Sequence, residues 1–234
     1  MNPLPAAQLV EQPYAVESLS QRQAEVLAAV LDLMVEEGDA FSMAAVARRA
    51  NCSKETLYKW FGDRNGLLTA TVRWQAAKVA MPRLPDGAVT RAALVASLTA
   101  FAGNWLGVIT SDVSVALNRL AIAHAGSARS ALGRIVRHNG PYAMARRLEP
   151  VFLAGREAGI IDFDDPRSAF RSFFGLVVAD AQILALLGEP ERPAADEIAA
   201  LAERAVDQFL KLFEATGAST AGGRNKRDRQ SRGR

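Results

Sequence analysis

The sequence predicts an all-α protein, and three observations carry that expectation. Apolar residues recur at intervals of three and four along nearly the whole chain, the repeat of a helix that buries one stripe. No long run alternates β-branched with polar residues, as a half-buried strand would. The interruptions are helix punctuation: Ser or Asp at the start of a periodic segment, Gly or Pro after it.

Taken in order, the first helix starts at Ser20, with Gln23 at the reciprocal position of a capping box. Val26, Leu27, Val30, Leu33 and Met34 form its apolar stripe, and Gly38 stops it. Ser42 caps a short helix through Ala50. Ser53 caps another, to Phe61, ended by Gly62. Asp63 caps a fourth carrying Leu67, Leu68, Val72 and Val79, to about Met81, before "PRLPDG" breaks the chain. Longer helices are expected at about 89–110, 112–125, 128–158 (broken near "NGP"), 166–187 and 194–215, with "DFDDP" and "GEPERP" as joints. The expected organisation is an N-terminal arm (1–19), a three-helix domain with a helix-turn-helix (20–70), a C-terminal helical bundle (71–215) and a disordered basic tail (216–234).

Composition removes several classes of function. One cysteine, Cys52, forbids an intrachain disulfide. The N-terminus has neither the basic nor the apolar region of a signal peptide, so a cytoplasmic location is expected. Ala92 to Ser111 carries no charge over a length that could span a bilayer. Its Ser97, Thr99, Asn104 and Thr110, and the absence of a second span or an anchoring basic flank, fit a buried helix better, so no membrane partner is expected. His124 and His138 have no cysteine partner and no HExxH spacing, so neither a metal nor a cofactor is expected. "AGREAG" is not a phosphate loop and "LGVITSD" is not a nucleophile elbow, so the chain does not read as an enzyme.

Charge is uneven. The last 13 residues hold six Lys/Arg and one Asp; without them the chain has a net charge of −2. The global pI therefore says little about nucleic acid, and the argument must be local. Residues 42–64 provide it, with five basic groups against two acidic ones.

In that segment two short helices flank a turn at Asn51, the non-glycine residue best suited to a left-handed backbone. Cys52 fits as a small plug between the helices. On the second helix Leu57 and Phe61 lie one turn apart and face inward. Glu55 and Lys59 then share the outer face, flanked by Lys54 and Tyr58. Lysines there can donate to guanine or phosphate, and Glu55 can accept from cytosine. Ser42, Thr56, Tyr58 and Arg64 have groups suited to phosphate. A merely solvated face with a Glu55–Lys59 pair is the plainer alternative.

The run "VARRANCSKETLYKWF" followed by "GDRNGLL" resembles the N-terminal domain of TetR-type transcriptional regulators over about residues 20–72. Asn51 stands where that family usually has glycine, and Cys52 where it usually has valine. The resemblance implies a homodimer that binds double-stranded operator DNA through Ser42, Ser53, Lys54, Glu55, Thr56, Tyr58, Lys59, Trp60 and Arg64. It also implies an unidentified small-molecule effector held by the C-terminal helices. Residues 115–187 more weakly resemble the AefR-like C-terminal domains. A repressor is the leading expectation; an activator or architectural protein without an effector, and an α-helical enzyme or binding protein, are the alternatives.

Candidate effector contacts are Phe101, Trp105, Ile109, Asn118, His124, Met144, Phe174 and Asp180. Each has ordinary structural uses too: Met144 suits core packing, and a buried Asp180 would need a partner. The last two helices show broad apolar faces. Phe170, Val177, Leu184, Leu201, Phe209 and Phe213 are the expected interface of a homodimer.

Overall fold

The computed structural model describes residues 19–37, 41–80, 84, 87–123, 125 and 131–215. The expected N-terminal arm (but for Leu19), the basic tail and His124 lie outside the described residues. Eleven helices are described: α1 (Gln21–Glu37), α2 (Met43–Arg49), α3 (Lys54–Phe61), α4 (Arg64–Ala77), α5 (Arg91–Ile109), α6 (Asp112–Ala123), α7 (Leu132–Asn139), α8 (Pro141–Glu157), α9 (Pro166–Val178), α10 (Ala181–Leu187) and α11 (Ala195–Leu212). The extended pairing found among the described residues is an isolated bridge between Ile161 and Glu214.

The caps follow the local sequence signals. The Ser20 amide donates to Gln23 Oε1 at 2.9 Å, and the Gln23 amide returns to Ser20 Oγ at 3.2 Å, closing the capping box. Ser42, Ser53 and Asp63 accept from the amides of Ala45, Thr56 and Gly66, each three residues on. Thr90 caps α5 in the same way and Asp165 caps α9.

Two apolar cores result. The first joins α1, α2, α3 and the first half of α4, and takes in Leu117, Ala121, Leu132 and Ile135 from α6 and α7. The second holds α5, α8, α9 and α11 around stacked rings, with Phe152 and Phe209 5.2 Å apart and Phe173 edge-on to Phe209 at 5.2 Å. Helix α4 links the two: Leu67 and Leu68 belong to the first core, while Ala76, together with Val79 just beyond the helix, packs on the second.

Helix α5 is long and apolar enough to cross a membrane, yet its Leu94, Leu98, Phe101, Ala102, Trp105 and Leu106 are buried in the second core. Gly103 and Gly107 face α11 closely: a Cβ on Gly103 would sit 3.8 Å from that of Ala202. Their spacing thus serves helix packing within the chain.

The segment expected as one helix over 166–187 is broken. Ala179 has φ 42°, and α10 leaves α9 at 56°. Asp180 sits at the N-cap position of α10 and is exposed, so the cost of burying a lone carboxylate does not arise. The break near "NGP" is present, at Gly140, and α4 ends at Ala77, short of Met81.

Candidate nucleic-acid interface and interior cavity

The helix-turn-helix is built from α2 and α3. Asn51 turns the chain at φ 47°, and the Cys52 amide donates to the Ala47 carbonyl at 2.9 Å. Cys52 is half-buried against the first core. Arg22 of α1 reaches across to the turn, donating to the carbonyls of Ala50 and, at 2.9 Å, Asn51. This clamp was not anticipated from the sequence, where Arg22 reads as an ordinary surface position on α1. A second tie joins Arg49 of α2 to Glu36 of α1 at 2.5 Å, and that pairing lowers the Glu36 pKa.

On α3, Leu57 is fully buried and Phe61 nearly so, which anchors the helix on its inner face. Burying a leucine side chain is worth about 1.5–3 kcal/mol, enough to fix the orientation of so short a helix. Lys54, Glu55, Tyr58 and Lys59 are exposed on the other side, Tyr58 at 50%. Bonds from its own backbone amide and from Ser53 lower the Glu55 pKa, so it stays anionic at neutral pH. Thr56 is half-exposed, with its hydroxyl 3.1 Å from Ser53 Oγ. Trp60 is half-buried, edge-on to Phe61. Arg64 stacks over the Phe41 ring at 4.8 Å. Ser42 is exposed, its oxygen engaged in capping.

A cavity of about 460 Å³ lies between α4, α5, α6, α7, α8, α9 and α10. Its volume falls in the range of small-molecule sites. Trp105, Ile109, Asn118, Met144 and Phe174 line it, so five of the eight candidate effector residues come together on one wall or another. Phe101 does not line it; it packs behind Trp105 at 5.5 Å inside the second core. Asp180 is also absent from the wall, for it lies on the exposed α9–α10 corner. Gln75, Arg134 and Arg137 line the cavity and were not anticipated; single polar residues on three-to-four patterns give no sequence signal.

Helix α4 is held at its cavity end by two hydrogen bonds. Gln75 Nε2 donates to Ser114 Oγ of α6 at 3.2 Å. Arg147 of α8 donates to the Ala76 carbonyl at 3.0 Å and leans on the Met144 sulfur at 3.8 Å. Burial, reinforced by neighbouring Arg146, pushes the Arg147 pKa down.

The expected dimer face needs correction. Phe170, Val177 and Phe209 are buried within the chain's own second core, and Phe213 packs on Phe209 at 4.8 Å. Leu201 is half-buried against the same core. The outer face of α11 carries Glu203, Arg204, Asp207 and Lys211, all exposed. Leu184 is different: with Ile183 and Leu187 it leaves α10 with exposed apolar side chains, 43%, 51% and 78% accessible.

Residues 26–71 match the N-terminal domain of bacterial regulatory proteins of the tetR family, and residues 96–215 match the C-terminal domain of AefR-like transcriptional repressors. Among solved structures, a TetR transcriptional regulator from Agrobacterium tumefaciens is 43% identical, with a TM-score of 0.72 over 85% of this chain and 97% of that one. A TetR-family regulator from Mesorhizobium loti is 25% identical with a TM-score of 0.68, covering 82% and 96%. The flavonoid-responsive regulator FrrA is 28% identical with a TM-score of 0.64, covering 83% and 98%. No curated protein matches the chain. The helix-turn-helix and these relatives agree: the chain belongs to the TetR family of transcriptional regulators, with a C-terminal domain of the AefR-like type.

Proposed function

We propose that this regulator is a repressor whose α3 helix reads a palindromic operator and which lets go when a small, largely apolar molecule fills the interior cavity. The observation that carries the reading is the shared helix α4. Its N-terminus follows α3 directly, capped by Asp63, while Gln75 and Ala76 near its other end line the cavity. From Arg64 to Gln75 is about 16 Å at 1.5 Å per residue, so displacement at one end of a rigid helix reaches the other. In this reading Lys54, Glu55 and Lys59 face base edges, and Ser42, Ser53, Thr56, Tyr58, Trp60 and Arg64 approach the backbone.

One copy of α3 spans too few base pairs for a selective site, so the reading also needs two copies. The exposed leucines of α10 suit a face where a second copy covers them. A 100-fold release needs about 2.7 kcal/mol of differential effector binding between the two forms. The flavonoid response of FrrA supports an aromatic or otherwise apolar effector for a cavity walled by Trp105 and Phe174.

The test is a cavity block. Val108 lines the cavity and is half-buried. Val108→Trp should bind an operator that the parent selects from a random duplex pool as the parent does, yet remain bound when organic-soluble cell extract releases the parent. Equal release of both proteins would contradict the reading.

A further inference from the structure

The cavity is lined mostly by apolar side chains, with Gln75, Ser114, Asn118 and Gln182 as its uncharged polar ones. Gln75 is 6% exposed, and its Oε1 has no hydrogen-bond partner, while its Nε2 is occupied by Ser114. A buried acceptor without a donor is costly and rare in a native fold, and a ligand is one of the few things that can satisfy it. Turning the amide over would only leave the nitrogen unpaired instead. The charged residues among the described lining are Arg134 and Arg137, three apart on one face of α7, and that lining includes no acidic residue. Both are exposed, at the solvent side of an otherwise apolar wall. Two guanidiniums at the rim of a low-dielectric cavity attract an anion and repel a cation.

We propose that the cavity takes a carboxylate-bearing amphiphile: an apolar body between the helices, a hydroxyl or N–H that donates to Gln75, and an anionic group at Arg134 and Arg137. This rests on the reading of the cavity as an effector site and specifies the effector's chemical class. It also gives Gln75 a regulatory part. The same amide that pins α4 to α6 through Ser114 is the group the ligand engages, so occupancy and the position of α4 are coupled at one side chain.

The test uses the full-length protein and four flexible probes of equal length: 12-hydroxydodecanoate, dodecanoate, 1,12-dodecanediol and 12-amino-1-dodecanol. Affinities are read by calorimetry. The hydroxy acid should bind about tenfold tighter than dodecanoate, the worth of one buried hydrogen bond, and about tenfold tighter than the diol. Gln75→Leu should erase the first difference and leave the second. Arg134→Gln with Arg137→Gln should erase the second and leave the first. The melting temperature of each unliganded variant checks the fold, and Gln75→Leu should change it little, since the bond lost to Ser114 is offset by removal of an unsatisfied buried acceptor.

Equal binding of the diol or the amino alcohol would overturn the proposal, as would no gain from the hydroxyl or no binding by any probe. The cavity reading is judged separately, by extract release of the parent against Val108→Trp. Release of the parent alone, with all four probes inert, would overturn the ligand class and leave the cavity reading standing.

Discussion

Arg22 of α1 donates to the carbonyl of Asn51 at 2.9 Å, so the turn of the helix-turn-helix is held from outside by a guanidinium. The same group also bonds the Ala50 carbonyl. The angle between α2 and α3 is therefore set by α1 as well as by the turn's own backbone.

Arg22→Ala should accordingly cost about 1–2 kcal/mol, the lower part of the range for hydrogen bonds to charged groups because the site is partly exposed. Urea denaturation checks the loss. Arg22→Lys should recover only part of it, because a single ammonium lacks the fork that spans two carbonyls.

On the reading helix, Lys59→Ala should flatten preference among operator variants, at about 1–3 kcal/mol if its partner is a base. Thr56→Ala should instead weaken all sequences alike and make binding less salt-dependent. Glu55→Gln should strengthen non-specific binding, since it removes an anion from the surface that meets the polyanionic duplex. Anisotropy titrations at several salt concentrations separate the three.

Ala179 occupies φ 42°, a backbone region that side chains disfavour. Ala179→Gly should stabilise the protein by about 1 kcal/mol, the usual scale of such strain, and raise its melting temperature. An unchanged or lower melting temperature would contradict strain at this corner.

The apolar face of α10 makes a separate prediction. Leu187→Asp with Leu184→Asp should give monomers at micromolar concentration while far-UV circular dichroism is preserved, because neither side chain is part of the core. Those monomers should lose operator binding. Phe209→Asp would be uninformative, since Phe209 is fully buried and its loss would unfold the second core.

These contrasts show what a sequence can reveal. Ser20, Ser42, Ser53, Asp63 and Asn51 were legible because caps and turns depend on neighbours three or four residues away. Leu57 and Phe61 were legible for the same reason, and they fix which residues α3 turns outward. The break at Ala179 was not, because neither alanine nor aspartate announces a positive φ. Phe170 and Phe209 were misassigned to a dimer face because periodicity identifies an apolar stripe but not the surface it meets. Gln75, Arg134 and Arg137 meet only through tertiary packing, and each alone resembles an ordinary polar position.

The claim that α3 is the surface that reads DNA stands or falls on one titration. A variant with Lys54, Thr56, Tyr58 and Lys59 all changed to alanine keeps the buried Leu57 and Phe61, so it should remain folded and dimeric. Titrated against an inverted repeat that the parent protein selects from a random duplex pool, it should show no preference for that site over random duplex of equal length, where the parent protein shows a large one. A folded quadruple variant that binds the repeat as tightly and selectively as the parent would contradict the claim.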